Sequence, residues 1–306
     1  MEDALVVGSG PAGLTAAIYL ARAGYAPLIL EGSNPGGQLM QTSLVENYPG
    51  FSAGVDGFSL MQEMRKQAER FGARFLQDEL LSVDFSDTNR KRFFLKSGQM
   101  LEARTGVIAA GASPIRLNVE GEERLLGRGV SFCATCDGGF FRGQTVAVVG
   151  GGDTACEEAL SLAKICSRVF LVHRRNELRA SKIMSERVLA NPLIDCKWGQ
   201  TITRVNGTEQ VESIDLRPND GGLDENLKVS ALFVAIGQAP NSAPFAGQLA
   251  FADKQGHIQV NATATSVPGV FAAGDICSPH DKQAVIAAGQ GAQAALAAER
   301  YLQLNP

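Results

Sequence analysis

Residues Phe132–Phe141 read FCATCDGGFF. Cys133 and Cys136 stand two residues apart, with Asp137 directly behind them. Such a pair serves either as half of a zinc site or as a redox dithiol. A structural zinc site needs four ligands, usually two such pairs. The remaining cysteines, Cys156, Cys166, Cys196 and Cys277, are scattered; His257 and His280 stand alone, and His173 lies among arginines. No metal is therefore expected. The redox reading fits better: a C-x-x-C pair lowers one thiol pKa and forms an exchangeable disulfide. Asp137 is placed to move the proton that dithiol chemistry requires. Such a centre needs a source of electrons.

Two glycine turns name that source. ALVV (Ala4–Val7) is a short apolar run that leads into GSGPAG (Gly8–Gly13), and a helical stretch follows up to Gly24. APLILEG then ends in Glu31. Strand, G-x-G-x-x-G, helix, strand and a terminal acid make the dinucleotide fingerprint. The first glycine makes the turn, the second lets backbone approach a pyrophosphate at the helix N-terminus, and the third lets helix and strand pack closely. Glu31 is placed to accept from ribose hydroxyls. The pattern returns as TVAVV (Thr145–Val149), GGGDTA (Gly150–Ala155), the predicted helix CEEALSLAKIC and the strand RVFLV (Arg168–Val172). Here the strand ends not in an acid but in HRRNELR, which contains His173, Arg174, Arg175 and Arg179. Guanidinium groups bind a 2′-phosphate that a carboxylate would repel. The second site should thus take NADPH and the first the adenosine part of FAD. Asp275, in AAGD near the C-terminus, is placed either at the flavin or as a helix N-cap.

These motifs set the architecture. Each fingerprint unit is closed later by an apolar run ending in glycine, GVIAAG to Gly111 and LFVAIG to Gly237. The tail, one more strand and an Ala-rich helix, has no third fingerprint and returns to the first unit. The expected fold is α/β: two Rossmann-like, three-layer dinucleotide-binding domains, the second inserted into the first. Residues 1–117 with 244–306 form the FAD domain, and residues 118–243 form the NADPH domain that carries the C-x-x-C. The 306 residues suffice for two cores. A net charge of -4 without a long basic run argues against nucleic acid as a partner. No apolar run approaches a membrane span, and the N-terminus lacks a signal-peptide pattern, so a cytoplasmic protein is expected.

The motifs GSGPAG, GGQL (Gly36–Leu39), ENYPG (Glu46–Gly50), CATCDG, GGGDTA, HRRNELRA and GVFAAGD resemble, from Leu5 to Leu302, the low-molecular-weight, bacterial-type NADPH–thioredoxin reductase family. CATCDG ahead of the second fingerprint is specific to that family; the larger glutathione-reductase type carries its cysteine pair after the first. The resemblance implies electron flow from NADPH through FAD and the Cys133–Cys136 disulfide to thioredoxin. In that scheme Cys136 exchanges with the flavin, Cys133 attacks the substrate and Asp137 is the acid/base. It implies FAD binding by Gly8, Ser9, Gly10, Pro11, Ala12, Gly13, Glu31, Gly32, Gly37, Gln38, Leu39, Asn47, Ala110, Gly111, Gly274, Asp275, Lys282, Gln283 and Ala284. It implies NADPH binding by Gly151, Gly152, Asp153, Thr154, His173, Arg174, Arg175, Arg179 and Gly237. A homodimer, with domains that rotate about hinges near 114–118 and 241–245, is implied as well. The sequence departs from the family at DKQA (Asp281–Ala284), where Tyr-Arg-Gln-Ala is usual. Lys282 keeps the charge without the planar fork of Arg. A same-fold flavin disulfide oxidoreductase with a non-NADPH donor (ferredoxin, a second flavin or a dithiol), another acceptor or reversed electron flow, and a flavin-holding partner subunit without turnover, are the alternatives.

Overall fold

The computed structural model describes every residue except Ser43, Leu44, Asp281 and Pro306, and the side chain of Gln41. In chain order the first stretch contains β1 (Glu2–Val7), α1 (Pro11–Arg22), β2 (Leu28–Leu30), α2 (Gly57–Arg70), β3 (Arg74–Leu76), β4 (Leu80–Asp84), β5 (Lys91–Leu95), β6 (Met100–Ile108) and β7 (Ala112–Pro114). Next come β8 (Val130–Ser131), α3 (Ala134–Asp137), β9 (Thr145–Gly150), α4 (Asp153–Leu162), β10 (Arg168–His173), α5 (Lys182–Leu189), β11 (Ile194–Trp198), β12 (Gln200–Asn206), β13 (Ser213–Pro218), β14 (Glu225–Lys228) and β15 (Ala231–Ala235). The chain closes with β16 (Gln238–Pro240), β17 (Val270–Ala272) and α6 (Ala284–Leu304). It divides into two compact units, Met1–Ser113 with Ala239–Pro306, and Pro114–Gln238. The division falls at 113/114 and 238/239, where the sequence reading places it at 117/118 and 243/244.

In the first unit the sheet runs β3-β2-β1-β6-β5-β4, with β17 beside the second half of β6. β1, β2, β3, β6 and β17 pair in parallel, and β4 and β5 are antiparallel. β1 shows why its sequence reads as continuously apolar. Ala4 and Val6 point into the core shared with α1 and α6, and Leu5 and Val7 point into the core on the other face. A parallel strand covered on both sides has no polar face. α1 starts at Pro11, whose fixed φ and missing N–H suit the first helical position. It stops before Gly24, which has a φ of 92°.

The second unit repeats the plan with a parallel sheet, β11-β10-β9-β15-β8, and adds an antiparallel sheet, β12-β13-β14. In β9, Val146 and Val148 face the core with α4, and Ala147 and Val149 face the core with the antiparallel strands. The helix expected to reach Cys166 ends at Leu162. Its last carbonyls are taken by a tight turn, in which Leu162 O accepts from both Ile165 N and Cys166 N. The turn sends the buried Cys166 thiol to the Phe141 carbonyl, 3.4 Å away. Among the described residues, no helix is long and apolar enough to cross a membrane.

Candidate active site

The redox turn lies in the second unit. Cys133 and Cys136 form a disulfide, with Cα atoms 5.3 Å apart. Cys133 caps the single-turn helix α3: its Sγ accepts from the Cys136 N–H at 3.2 Å, and Thr135 Oγ1 lies 3.3 Å from the same sulfur. Ser131, at the end of β8, braces the turn. Its Oγ accepts from Cys133 N at 3.1 Å and donates to Asp137 Oδ2 at 2.7 Å. Asp137 is thus tied to the turn of the cysteines it follows. Gly138 seats this turn on α4, because a Cβ there would meet Leu162. On α4, Glu158 points back at the turn, with Oε1 3.4 Å from Ala134 N. Burial pushes the Glu158 carboxyl up to about 7, the approach of the Ala134 N–H opposing the rise. Ser131 and Glu158 are absent from the sequence reading.

The second fingerprint sits in the same unit. A Cβ on Gly151 would overlap the His173 ring, so any larger residue there would displace that imidazole. Gly152 has open space where its Cβ would stand, which leaves its backbone free to meet a phosphate. His173 is buried and its pKa is lowered by that burial, then by Arg179, Arg175 and Arg174. Its Nε2 is buried without a partner. Arg174, Arg175 and Arg179 are exposed, and none of them joins an ion pair among the described residues. An open glycine backbone, three uncommitted guanidiniums and an unpartnered imidazole nitrogen fit a phosphorylated nucleotide. Asp153 also braces the fold: its Oδ1 accepts from Ser181 N and Oγ, both at 2.8 Å, and these bonds lower its pKa. It holds the arginine loop against the first turn of α4. Thr154 lies exposed in that turn, and the Gly237 carbonyl accepts from Ile115 N at 2.9 Å.

In the first unit, a Cβ on Gly13 would land on the Gly8 carbonyl, so α1 packs tightly on its own turn. Gly10 and Gly32 face open space. Ser9 Oγ accepts from Gly36 N at 2.9 Å, which pins the GGQL loop below the fingerprint and brings Gly37 against Gly10. Leu39 is half-buried there, and Gln38 Nε2 donates to Ala112 O at 2.6 Å. From the other side Gly274 packs on Ala12, and its N–H is held by Gln290 Oε1 at 2.8 Å. Ala110 and Gly111 offer carbonyls to Asn241, through its Nδ2 at 2.8 Å and its N–H at 3.0 Å. Asn47 Nδ2 donates to Gln283, the cap of α6 ahead of Ala284, at 2.9 Å. The helix cap is therefore Gln283, not Asp275. Burial raises the Asp275 pKa and lowers that of Lys282, each opposed by the charge of the other. Asp281, the other half of the departure from the family pattern, lies outside the described residues.

Glu31 is buried at the end of β2, as a ribose-binding carboxylate should be, but it also has a protein partner. Arg65 of α2 forms a salt bridge with Glu31 Oε1. Arg65, Gln290 and Asn241 are absent from the sequence reading. The open glycine faces, the buried acid and the half-buried Asp275–Lys282 pair fit a flavin dinucleotide. Among the described residues no group of three His, Cys, Asp or Glu side chains could hold a metal.

Comparison with known proteins agrees with this geometry. Residues 2–291 match the pyridine nucleotide-disulphide oxidoreductase family. A thioredoxin reductase of Streptomyces clavuligerus is 44% identical over 305 residues, covering 99% of this chain and 94% of that relative. One from Vibrio cholerae is 47% identical over 310 residues, covering 97% of this chain and 96% of that relative. The crystal structure of thioredoxin reductase from Streptococcus pyogenes superposes with a TM-score of 0.85 at 36% identity, covering 99% of both chains. Two fingerprint units, with a C-x-x-C disulfide just ahead of the second fingerprint, place this chain among the pyridine nucleotide-disulphide oxidoreductases, in the low-molecular-weight thioredoxin reductase family.

Proposed function

We propose that this chain is an NADPH-dependent thioredoxin reductase in which Cys133 and Cys136 form the redox centre. The observation that carries the reading is the Cys133–Cys136 disulfide, braced by Ser131 and followed by Asp137, in the unit whose fingerprint strand ends in arginines. Arg174, Arg175 and Arg179 hold the 2′-phosphate of NADPH, and the backbone at Gly151 and Gly152 meets its pyrophosphate. Gly8–Gly13, Glu31, the Gly37–Leu39 loop, Asn47, Ala110, Gly111, Gly274, Asp275 and the residues 282–284 hold FAD. Bound FAD supplies two-electron transfer between a nicotinamide and a disulfide. Cys136 would be the sulfur that exchanges with the flavin, and Cys133 would attack the disulfide of thioredoxin. The Cys136 N–H, already on the Cys133 sulfur, stabilises the thiolate that forms there. Asp137, fixed by the Ser131 hydroxyl, delivers and removes the proton. The acceptor follows from the names of the relatives, and the working enzyme is a cytoplasmic homodimer.

The test is an anaerobic titration of the purified holoenzyme with NADPH, followed by flavin absorbance and by reduction of added thioredoxin. Prompt bleaching and multiple turnovers with thioredoxin are expected. A flavin bleached by dithionite or a dithiol but not by NADPH would replace the donor in this reading.

A further inference from the structure

Asp137 is the acid that the sequence places beside the disulfide, but a second carboxyl meets the same turn from below. Glu158 approaches the N–H of Ala134, the residue that follows Cys133, from α4. Its other oxygen, Oε2, is buried and has no hydrogen-bond partner. An ionised carboxylate in such a place lacks the donors that would offset its lost hydration, and a protonated one does not need them. The charges around it offer no compensation. Glu157, its neighbour on α4, is also acidic, and on α3 Asp137 is held by Ser131. β9 and β15 carry no ionisable side chain. On β10, Arg168 pairs with Asp195, and His173 is buried with its pKa lowered by that burial and by the neighbouring arginines, so it is no ready cation. On α5, Lys182 lies 4.0 Å from Glu186, and Arg187 is exposed.

The first turn of α3 therefore serves two acceptors, the Cys133 sulfur on Cys136 N and the Glu158 carboxyl at Ala134 N. In the disulfide the sulfur is neutral. Once the bond opens and Cys133 becomes a thiolate, two negative charges would share one partly buried turn, and the second is disfavoured. We infer that Glu158 is a positioning residue of the redox centre, one that takes up a proton when the Cys133–Cys136 bond opens and releases it when the bond closes. The inference rests on the redox reading of that disulfide. With an external dithiol as reductant the step balances. The protein S–S bond breaks, and the dithiol is oxidised to its own disulfide. One of its two protons goes to a protein sulfur and the other to the Glu158 carboxylate, leaving a thiolate. Without Glu158, that second proton is released to water.

The holoenzyme and Glu158→Gln are each equilibrated with dithiothreitol redox buffers from pH 6 to 9, and protein thiols are counted by alkylation. The reductant titrates identically in both series, so the ratio of the two reduction constants reports Glu158 alone. By linkage that ratio is expected to be level where Glu158 already holds a proton in the disulfide form, and to fall as pH rises above about 7, by up to about tenfold per pH unit. Parallel profiles with a constant ratio overturn the role of Glu158. A wild-type disulfide that does not exchange with the buffer overturns the redox reading itself. If the variant does not fold, the wild type suffices. With ¹³C-labelled glutamate, the reduced-minus-oxidised infrared spectrum at pH 8 should gain a label-shifted protonated-carboxyl band. Absence of that band overturns the inference equally.

Discussion

Arg65 is salt-bridged to Glu31 while its guanidinium lies over the Phe75 ring, 3.9 Å from the centroid. A second bond, from Arg65 Nε to Glu69 at 2.9 Å, completes its setting. The carboxylate expected to bind ribose, at the end of β2, is therefore oriented by a residue of α2. Replacing Arg65 by leucine leaves a buried acid without its cation. FAD affinity should fall about tenfold, roughly 1.4 kcal/mol. Arg65→Lys should recover part of it. Fluorescence of released FAD on dilution measures both, and unchanged retention in Arg65→Leu would remove Arg65 from the site.

Cys136→Ser separates the two halves of the electron path. The variant should keep FAD and be bleached by NADPH, yet reduce thioredoxin at under about 1% of the wild-type rate, since a hydroxyl cannot exchange disulfides. Wild-type turnover in this variant would end the assignment of the dithiol.

In the proposed function, the arginines at the end of β10 carry the preference for the phosphorylated nicotinamide. Charge-assisted bonds contribute about 1.5–3 kcal/mol each. Arg174→Ala with Arg175→Ala should thus raise KM for NADPH by about two orders of magnitude or more. KM for NADH should change by about threefold at most, as its ribose carries no phosphate for these groups. Equal losses for both nucleotides would show that the arginines act through the fold.

Gly291 lets α6 lie against the start of α1, where an added Cβ would land on the Ala12 carbonyl. Overpacking at such a contact costs about 1–3 kcal/mol. Gly291→Ala should lower Tm by several degrees and loosen FAD, because Ala12 belongs to the fingerprint turn. Calorimetry of holo and apo forms separates the two effects.

Glu158 also sets a pH dependence of stability. Below the ordinary carboxylate range the folded and unfolded chains both hold its proton. Above it the unfolded chain releases the proton while the fold keeps it up to about pH 7, so stability falls as pH rises and then levels off. The loss amounts to about 3 kcal/mol. Trp198, the single tryptophan, lies on β11 of the same unit and reports its unfolding in urea. Glu158→Gln should lack this fall between pH 4 and 8, and an equal fall in both proteins would assign it to other groups.

What the sequence discloses and what it hides follow one rule. GSGPAG and GGGDTA are legible because a tight turn, a phosphate approach and a close helix contact make local demands that glycine alone meets. The arginines after β10 and the C-x-x-C are legible because their chemistry depends on near neighbours in the chain. Arg65 is hidden because it meets Glu31 across 34 residues, from a helix whose sequence carries no mark of the meeting. Glu157 and Glu158 make the point within one dipeptide. The first is exposed and the second half-buried at the redox turn, and the phase of α4 against α3 decides which. Asp153 reads as a ligand from its place in the fingerprint, and the two bonds its Oδ1 takes from Ser181, 28 residues on, are not marked in the sequence.

The inserted arrangement has a consequence for how the chain is made. The parallel sheet of the second unit has all its strands once synthesis has passed Ala235. The first unit, begun earlier, still lacks β17, the partner of β6, and α6, the partner of α1. Domains fold as units during synthesis, so the order of completion is the reverse of the order of initiation. A chain halted after residue 260 should yield a protease-resistant core spanning 114–238 and retain no flavin. The half that starts second is finished first, and the long helix that closes the other half is made only after it.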